Sequence, residues 1–478
     1  VCSSDLAIVN LHSLLTDREN SGRPIRVGLI GAGRFGTMYL SQALNIPGIH
    51  VVAIADINTE RARGAFDLVE WPAEKIAANL QDALKNRSTA IVSDAMDLFE
   101  VEIDVVVEAT GNPIVGIKHA LRAIETGKHI IMVTVEADAL AGPALAKRAE
   151  AAGVVYSMAY GDQPALIMEL VDWARTSGFE VVCAGKGAKY LPHYHEMNPD
   201  NVWENWEFSE ELTSSGQLNP YMHTSFRDGT KAAIEMAAVA NAAGLVPSDS
   251  GLTFTPGNIE EIATICSPKK TGGVLEHEGT VEVMSSVTRD GEWIPFNTQE
   301  GVFVVVKATN DYVAGCFVEY PWHPDPTGQY AALFRPYHYV GLELNISIAN
   351  AELRGIATGS PIGFTADVVD GRWGAPSTAY TSDLAFTDSL TARGQFRMLW
   401  LGDPTVLPLE PVVLDDAPRG PRLGPGHRAL LVLAGVQQGG ALVEGEDDVR
   451  AQRVLYLYRT LRGESVERAV DMAGERDA

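Results

Sequence analysis

Residues 26–36 read Arg-Val-Gly-Leu-Ile-Gly-Ala-Gly-Arg-Phe-Gly, and no other stretch narrows the possible folds of this chain as much. The apolar run from Val27 to Ile30 has strand character and leads straight into Gly31, Gly33 and Gly36. A G-x-G-x-x-G spacing between a strand and a helix-forming segment (residues 37–43) is the phosphate-cradling turn of dinucleotide-binding α/β units. Gly31 permits the tight turn, Gly33 lets the backbone approach a pyrophosphate, and Gly36 lets the helix lie close to the strand. Arg34 and Phe35 sit inside the turn, where free N–H groups and the positive dipole end of the helix favour phosphate. A second apolar run, residues 51–55, ends at Asp56, about 20 residues past the last glycine, where an acid hydrogen-bonds the adenosine ribose. Asp56 favours NAD because it repels a 2′-phosphate, while Arg61 and Arg63 just beyond it could accommodate NADP.

The pattern then alternates. A polar helical stretch runs to about Asn86, and the valine run at 105–107 reads as a parallel strand covered on both faces. It ends in Glu108-Ala109-Thr110-Gly111, at a strand's carboxyl end, where ligands of open α/β sheets bind. A helix over 114–126 and a strand over 129–135 follow, the strand ending in Val135-Glu136-Ala137-Asp138. A helix over 141–152 and a strand over 154–158 complete the unit. Strands alternating with helices predict a Rossmann-type, doubly wound parallel sheet over residues 25–160. Ala109, Thr110, Gly111 and Glu136 join the glycine turn and Asp56 as cofactor-binding candidates. Residues 1–24 form an N-terminal arm with one apolar helical face over 8–15. Residues 1–6, Val-Cys-Ser-Ser-Asp-Leu, match the translation of a common sequencing-adapter end and are expected to be an artefact.

An α+β catalytic and dimerisation domain is expected over 161–350. Gly161-Asp162-Gln163-Pro164 opens it, and a helix over 164–177 precedes a strand over 179–184. Lys186 and Lys189 follow in a glycine-containing segment read as a turn, where backbone N–H groups assist a lysine in holding phosphate, and with Lys231 they are the phosphate or oxyanion candidates. Residues 228–243 are almost wholly Ala, Ile, Met and Val apart from Lys231, Glu235 and Asn241, which predicts a buried helix. Lys231 and Glu235 share one of its faces, in the order that stabilises an exposed helix less, so a site explains the pair better than surface stability does. Glu235 and Asp228 are base or metal candidates, and Asp162 is the leading metal-ligand candidate, with helix capping as the competing role. His193 and His195 would share a face if extended. The runs at 281–283, 302–306 and 313–317 read as an antiparallel sheet, and 330–334 and 337–350 as helices, the second returning to pack on the nucleotide domain. Residues 351–370 form a return segment.

Composition sets limits on partners. The 478 residues suffice for two or three domains. A net charge of −25, from 62 acidic and 37 basic side chains, argues against nucleic acid or anionic membrane as the main partner. No apolar run approaches the roughly 20 residues that span a bilayer. The four cysteines are scattered without a C-x-x-C, which fits a reducing cytoplasm rather than a disulfide framework. The expected partners are an anionic small-molecule substrate, held in a local basic pocket, and further copies of the chain in a homodimer or higher homo-oligomer.

The motifs together resemble one family. Glu108-Ala109-Thr110-Gly111 is similar to homoserine dehydrogenase. Val135-Glu136-Ala137-Asp138, Gly161-Asp162-Gln163-Pro164, Ala184-Gly185-Lys186-Gly187, the run 224–231 (Thr-Ser-Phe-Arg-Asp-Gly-Thr-Lys), 233–236 (Ala-Ile-Glu-Met) and 337–344 (Tyr-His-Tyr-Val-Gly-Leu-Glu-Leu) resemble the deoxyxylulose-phosphate reductoisomerase-like (DRL) family. These are homoserine-dehydrogenase-like oxidoreductases that commonly carry a C-terminal SAF domain. The resemblance covers roughly residues 9–370. It implies conversion of 1-deoxy-D-xylulose 5-phosphate to 2-C-methyl-D-erythritol 4-phosphate in isoprenoid biosynthesis, with NADPH and a divalent metal, Mg or Mn. It fixes reaction style better than substrate. A hydroxy-acid or sugar-acid dehydrogenase and a non-catalytic nucleotide-binding protein are the alternatives. The chain departs from the family after Asp370: residues 371–478 are an atypical, Pro-, Gly- and Arg-rich region in place of a SAF domain, by frameshift or by divergence.

Overall fold

A computed structural model describes residues 10–214, 218–248, 251–320, 322–363, 366–369 and 389–392. The suspected artefact at 1–6 and most of the atypical region after 370 lie outside these. The chain divides into two compact units. The first comprises residues 1–138, 145–169 and 338–361, and the second residues 139–144, 170–337 and 362–478.

The first unit holds a six-stranded parallel sheet of order β3-β2-β1-β4-β5-β6, the doubly wound arrangement. Its strands are β1 (Ile25–Ile30), β2 (Ile49–Ala55), β3 (Ala90–Val92), β4 (Val105–Glu108), β5 (His129–Met132) and β6 (Tyr156–Met158). The valines of β4 are fully buried, as expected for a strand covered on both faces. Helix α1 (Leu11–Asn20) is the arm; it buries Leu15 in the core and ties to the fold through Arg18–Glu352 at 2.7 Å. The crossover helices are α2 (Arg34–Ala43), α3 (Thr59–Leu68), α4 (Leu80–Asn86), α5 (Pro113–Glu125) and α6 (Val135–Ala152), and α7 (Gln163–Thr176) follows β6. Two readings are corrected here. The polar stretch after Asp56 is two helices, because Trp71-Pro72 interrupts it; Trp71 stacks on Phe66 at 5.1 Å and the chain turns back into the core. Strand β5 stops at Met132, so Val135-Glu136-Ala137-Asp138 is the first turn of α6 rather than a strand end.

The second unit carries a five-stranded sheet of order β11-β10-β7-β9-β8. Its strands are β7 (Glu180–Ala188), β8 (Thr255–Pro256), β9 (Thr280–Ser285), β10 (Val302–Lys307) and β11 (Tyr330–Arg335). Helices α8 (Glu210–Ser214), α9 (Pro220–Ser225), α10 (Thr230–Ala243), α11 (Ile262–Ile265) and α12 (Asp311–Glu319) complete it. The sheet is mixed rather than antiparallel: β9 runs parallel to β7 and β8, while β10 is antiparallel to β7 and β11. Residues 313–317 lie in α12, where Asn310 caps the Val313 N–H at 3.0 Å and overrides the strand-like composition. Residues 330–334 form β11 instead of a helix, because the tyrosine-started run pairs along the whole of β10. A two-stranded ribbon, β12 (Ala366–Val369) with β13 (Ser389–Ala392), packs against α10.

The return helix is α13 (Asn345–Arg354), shorter than the expected 337–350. It brings Leu344, Ile348, Ala349 and Ala351 into the core of the first unit, as the sequence suggested. Just before it, Gly341 at φ +76° lies against the backbone of α2, where a Cβ would come within 2.9 Å of the Phe35 carbonyl. The 337–344 motif therefore contains the seat for the helix that follows the glycine turn.

Candidate functional site

In the first unit the glycine turn lies between the ends of β1 and β4, where the strand order reverses. Gly31 has φ +103°, and a Cβ there would meet the Ala109 carbonyl at 2.5 Å. A Cβ on Gly36 would meet the Gly31 carbonyl at 2.4 Å, so helix and turn are in backbone contact. Gly33 differs from both: nothing lies within 4 Å of its missing side chain, and it caps α2 with no side-chain hydrogen bond. The open face and uncapped helix start fit a pyrophosphate.

Asp56 holds this turn together. Its Oδ2 accepts the Ala32 N–H at 2.7 Å, its Oδ1 accepts the Asn58 N–H at 2.8 Å, and Arg61 pairs with both oxygens. Burial pushes the Asp56 carboxyl up, but the hydrogen bonds from Arg61, Ala32 and Asn58 outweigh it and hold the group below the usual carboxylate range. The Asp56 side chain is 1% exposed and that of Arg61 52%. The carboxylate faces inward, and the guanidinium covers it.

Glu108 belongs to the site, although its sequence motif does not single it out. It is fully buried, and its carboxylate accepts the Thr110 hydroxyl at 2.5 Å and the Thr134 hydroxyl at 2.5 Å. Gly111, at φ +69°, donates its N–H to Thr134 at 3.0 Å. This network fixes the segment 109–111 at the strand end. Thr134 carries no sequence signal of that role. Glu136 lies in the first turn of α6.

Asp162 precedes α7, and its carboxylate accepts the Gln163 N–H at 2.8 Å, which fits the capping alternative. Among the described residues no three His, Cys, Asp or Glu side chains gather as metal ligands. His193 is in a 3₁₀ turn (Pro192–Glu196), which takes His193 and His195 off a common extended face; the side chain of His195 is outside the described residues.

In the second unit Lys186 lies within β7, not in a turn. Gly185 and Gly187 are strand residues without room for side chains: a Cβ would meet the Glu282 carbonyl at 2.1 Å and the Thr298 carbonyl at 1.9 Å. The glycines serve close strand packing, not a phosphate loop. Helix α10 packs over β7 and β9, and every residue in it except Lys231 is buried. That packing brings Glu235 onto Lys186, and the two form an ion pair with side chains only 5% and 10% exposed. Two such charges tolerate burial because each neutralises the other. Asp228, fully buried, accepts the Thr230 N–H at 2.8 Å at the start of α10. Lys231 is half-buried in the first turn, and Lys189, past the end of β7, lies 3.9 Å from Glu207. The catalytic-domain candidates thus separate into a tight Lys186–Glu235 centre and flanking lysines. Sequence reasoning placed Glu235 with Lys231; the partner 49 residues away could be found only through the packing of α10 on β7.

Residues 161–344 match the family model described as the oxidoreductase DRL catalytic domain, and residues 25–160 match the NAD-binding Rossmann fold of an oxidoreductase family. No curated protein matches the chain. Similar solved structures include a homoserine dehydrogenase from Thiobacillus denitrificans, at 15% identity and TM-score 0.43, covering 71% of this chain and 78% of that one. A dihydrodipicolinate reductase from Paenisporosarcina sp. TG-14 is 11% identical with TM-score 0.33, covering 69% and 95%. A myo-inositol dehydrogenase from Lactobacillus casei, solved with NAD(H) and myo-inositol, is 21% identical with TM-score 0.26, covering 38% and 50%. The chain is an NAD(P)-dependent oxidoreductase that joins a Rossmann nucleotide-binding half to a catalytic half of the DRL type.

Proposed function

We propose that this oxidoreductase reduces an anionic hydroxycarbonyl compound, a sugar phosphate or a close relative, by isomerisation followed by hydride transfer. The observation that carries this reading is the buried Lys186–Glu235 pair in the DRL-type half. A desolvated carboxylate and ammonium in contact are a base and an acid held ready in one place. Glu235 takes the substrate's hydroxyl proton as the carbon skeleton rearranges. Lys186 hydrogen-bonds the carbonyl oxygen and gives the resulting alkoxide its proton. A reduced nicotinamide, when bound, would supply the hydride to the aldehyde carbon, and Glu235 returns the proton it took to the oxygen of that carbon. Asp228 holds the first turn of α10, and with it the approach of Glu235 to Lys186.

NADPH is the cofactor we favour. With Asp56 turned inward against Ala32 and Arg61, the group left at the adenosine end is a guanidinium, which suits a 2′-phosphate.

The test is nicotinamide consumption by the purified full chain over a panel of sugar phosphates and hydroxycarbonyl acids, with and without Mg or Mn. Turnover of a phosphorylated hydroxyketone supports the reading. Metal-independent, NAD-linked oxidation of a simple hydroxy acid would replace it with the homoserine-dehydrogenase-like alternative.

A further inference from the structure

The second unit contains a cation that the Lys186–Glu235 chemistry does not use. Arg227, three residues before α10, sits over Trp206 with its guanidinium carbon 4.1 Å from the ring centroid. The Tyr194 ring centroid is 5.9 Å from the same carbon. Trp206 is itself fixed in a cluster: Phe208 stacks on it at 5.0 Å and His223 meets its edge at 5.0 Å. Arg227 makes no ion pair among the described residues, in contrast to Lys186 and Lys189. Its Nε is buried with no hydrogen-bond partner among the described residues, and so is the indole Nε1 of Trp206. The acids that bear on the guanidinium, Glu207 and Glu300, are surface residues acting only through charge. Burial pulls the Arg227 pKa down from its usual value, yet an arginine stays protonated in any protein setting.

Two buried donors in contacting side chains, each lacking an acceptor among the described residues, cost stability: each is a desolvated group without compensation, about 1–3 kcal/mol. A guanidinium whose rotamer is fixed by stacking presents its N–H fork in one direction and loses little entropy on binding. We infer that Arg227 and Trp206 form an oxyanion subsite that holds the phosphate or carboxylate terminus of the substrate. The inference deepens the proposed reaction by assigning its anionic group to these residues in place of Lys186 and Lys189. Distance along the chain fits. Glu235 is five residues into α10 from Thr230, and Arg227 three before it, so the two Cα atoms are within about 18 Å of each other.

The probes are inorganic phosphate and malonate, titrated calorimetrically into the full chain with the cofactor cradle saturated by NADPH. The wild-type chain is expected to bind at least one of them in the millimolar range; phosphate alone indicates a phosphate ester, malonate alone a carboxylic acid. Arg227→Gln is expected to weaken that binding at least about tenfold with NADPH affinity unchanged, and Arg227→Lys, which keeps charge but loses the fork, should fall in between. Trp206→Phe keeps the platform and removes one donor, so it should weaken binding severalfold even if Arg227→Gln fails to fold. Absence of binding of both anions to the wild-type chain, or equal binding by wild type and Trp206→Phe together with Arg227→Gln or Arg227→Lys, overturns the subsite. Anion binding without turnover on any substrate would instead sink the proposed reaction and leave the subsite standing.

Discussion

At the residue scale the adenosine end turns on one ion pair. Arg61 neutralises Asp56, so Arg61→Ala removes the partner of a 2′-phosphate and also frees the carboxylate to accept ribose hydroxyls. The ratio of NADPH to NADH affinity should fall by about tenfold or more, a change of at least about 1.4 kcal/mol, read from fluorescence titrations of the two cofactors. An unchanged ratio would place the 2′-end elsewhere. Asp56 also makes a pH signature. Its pKa is lower folded than unfolded, so its stabilisation is complete above the ordinary value of about 4 and is lost as pH falls through the folded value. Urea midpoints of the wild-type chain should therefore drop on the acid side below about pH 4, and Asp56→Asn should show a smaller drop. The position of Asp56 and its nearness to Arg61 were legible in the sequence. Its inward orientation was not, because that depends on the Ala32 N–H folding back across the turn.

At the scale of elements, three glycines in one motif have three different surroundings, and substitution should separate them. Gly36→Ala places a methyl 2.4 Å from the Gly31 carbonyl and must push α2 off the strand, at a cost of about 2–4 kcal/mol. Gly33→Ala meets nothing in the protein and should leave the unfolding midpoint within about 1 kcal/mol of wild type. It should still weaken NAD(P)H binding, since its methyl occupies the space left for pyrophosphate. Denaturant melts and cofactor titrations on the same two variants check both statements; normal cofactor binding by Gly33→Ala would contradict the cradle. The parallel strands of the first unit were readable because they are continuous apolar runs ending in glycine or acid. In the second unit local composition misled. The Val-Ala-Gly-Cys-Phe run is a helix because of its Asn310 cap, Tyr330 to Phe334 is a strand because β10 offers an edge, and Lys186 is in a strand because its neighbouring glycines are packed against β9 and the segment at 298. The last two were decided by partners far away in sequence, whereas the Asn310 cap, the buried character of α10 and the strands at 179–184, 281–283 and 302–306 are local signals.

At the scale of the molecule, two compact units carry separate tasks. One supplies a cradle built from β1, α2 and the Glu108–Thr110–Thr134 network. The other holds the buried Lys186–Glu235 ion pair and Arg227 over Trp206, without an ion-pair partner among the described residues. None of the described helices is long and apolar enough to cross a membrane. The central claim is that Lys186 and Glu235 do the proton chemistry while the nucleotide half binds cofactor independently of them. The most direct measurement is the rate of nicotinamide oxidation under saturating substrate and cofactor for wild type, Glu235→Gln and the double variant Lys186→Met/Glu235→Gln. The double variant removes both charges and so avoids the uncompensated charge that makes a broken buried pair unstable by about 3–5 kcal/mol. The expected result is a loss of at least about 100-fold in kcat for both variants with NADPH affinity unchanged; turnover within about threefold of wild type in the folded double variant would contradict it.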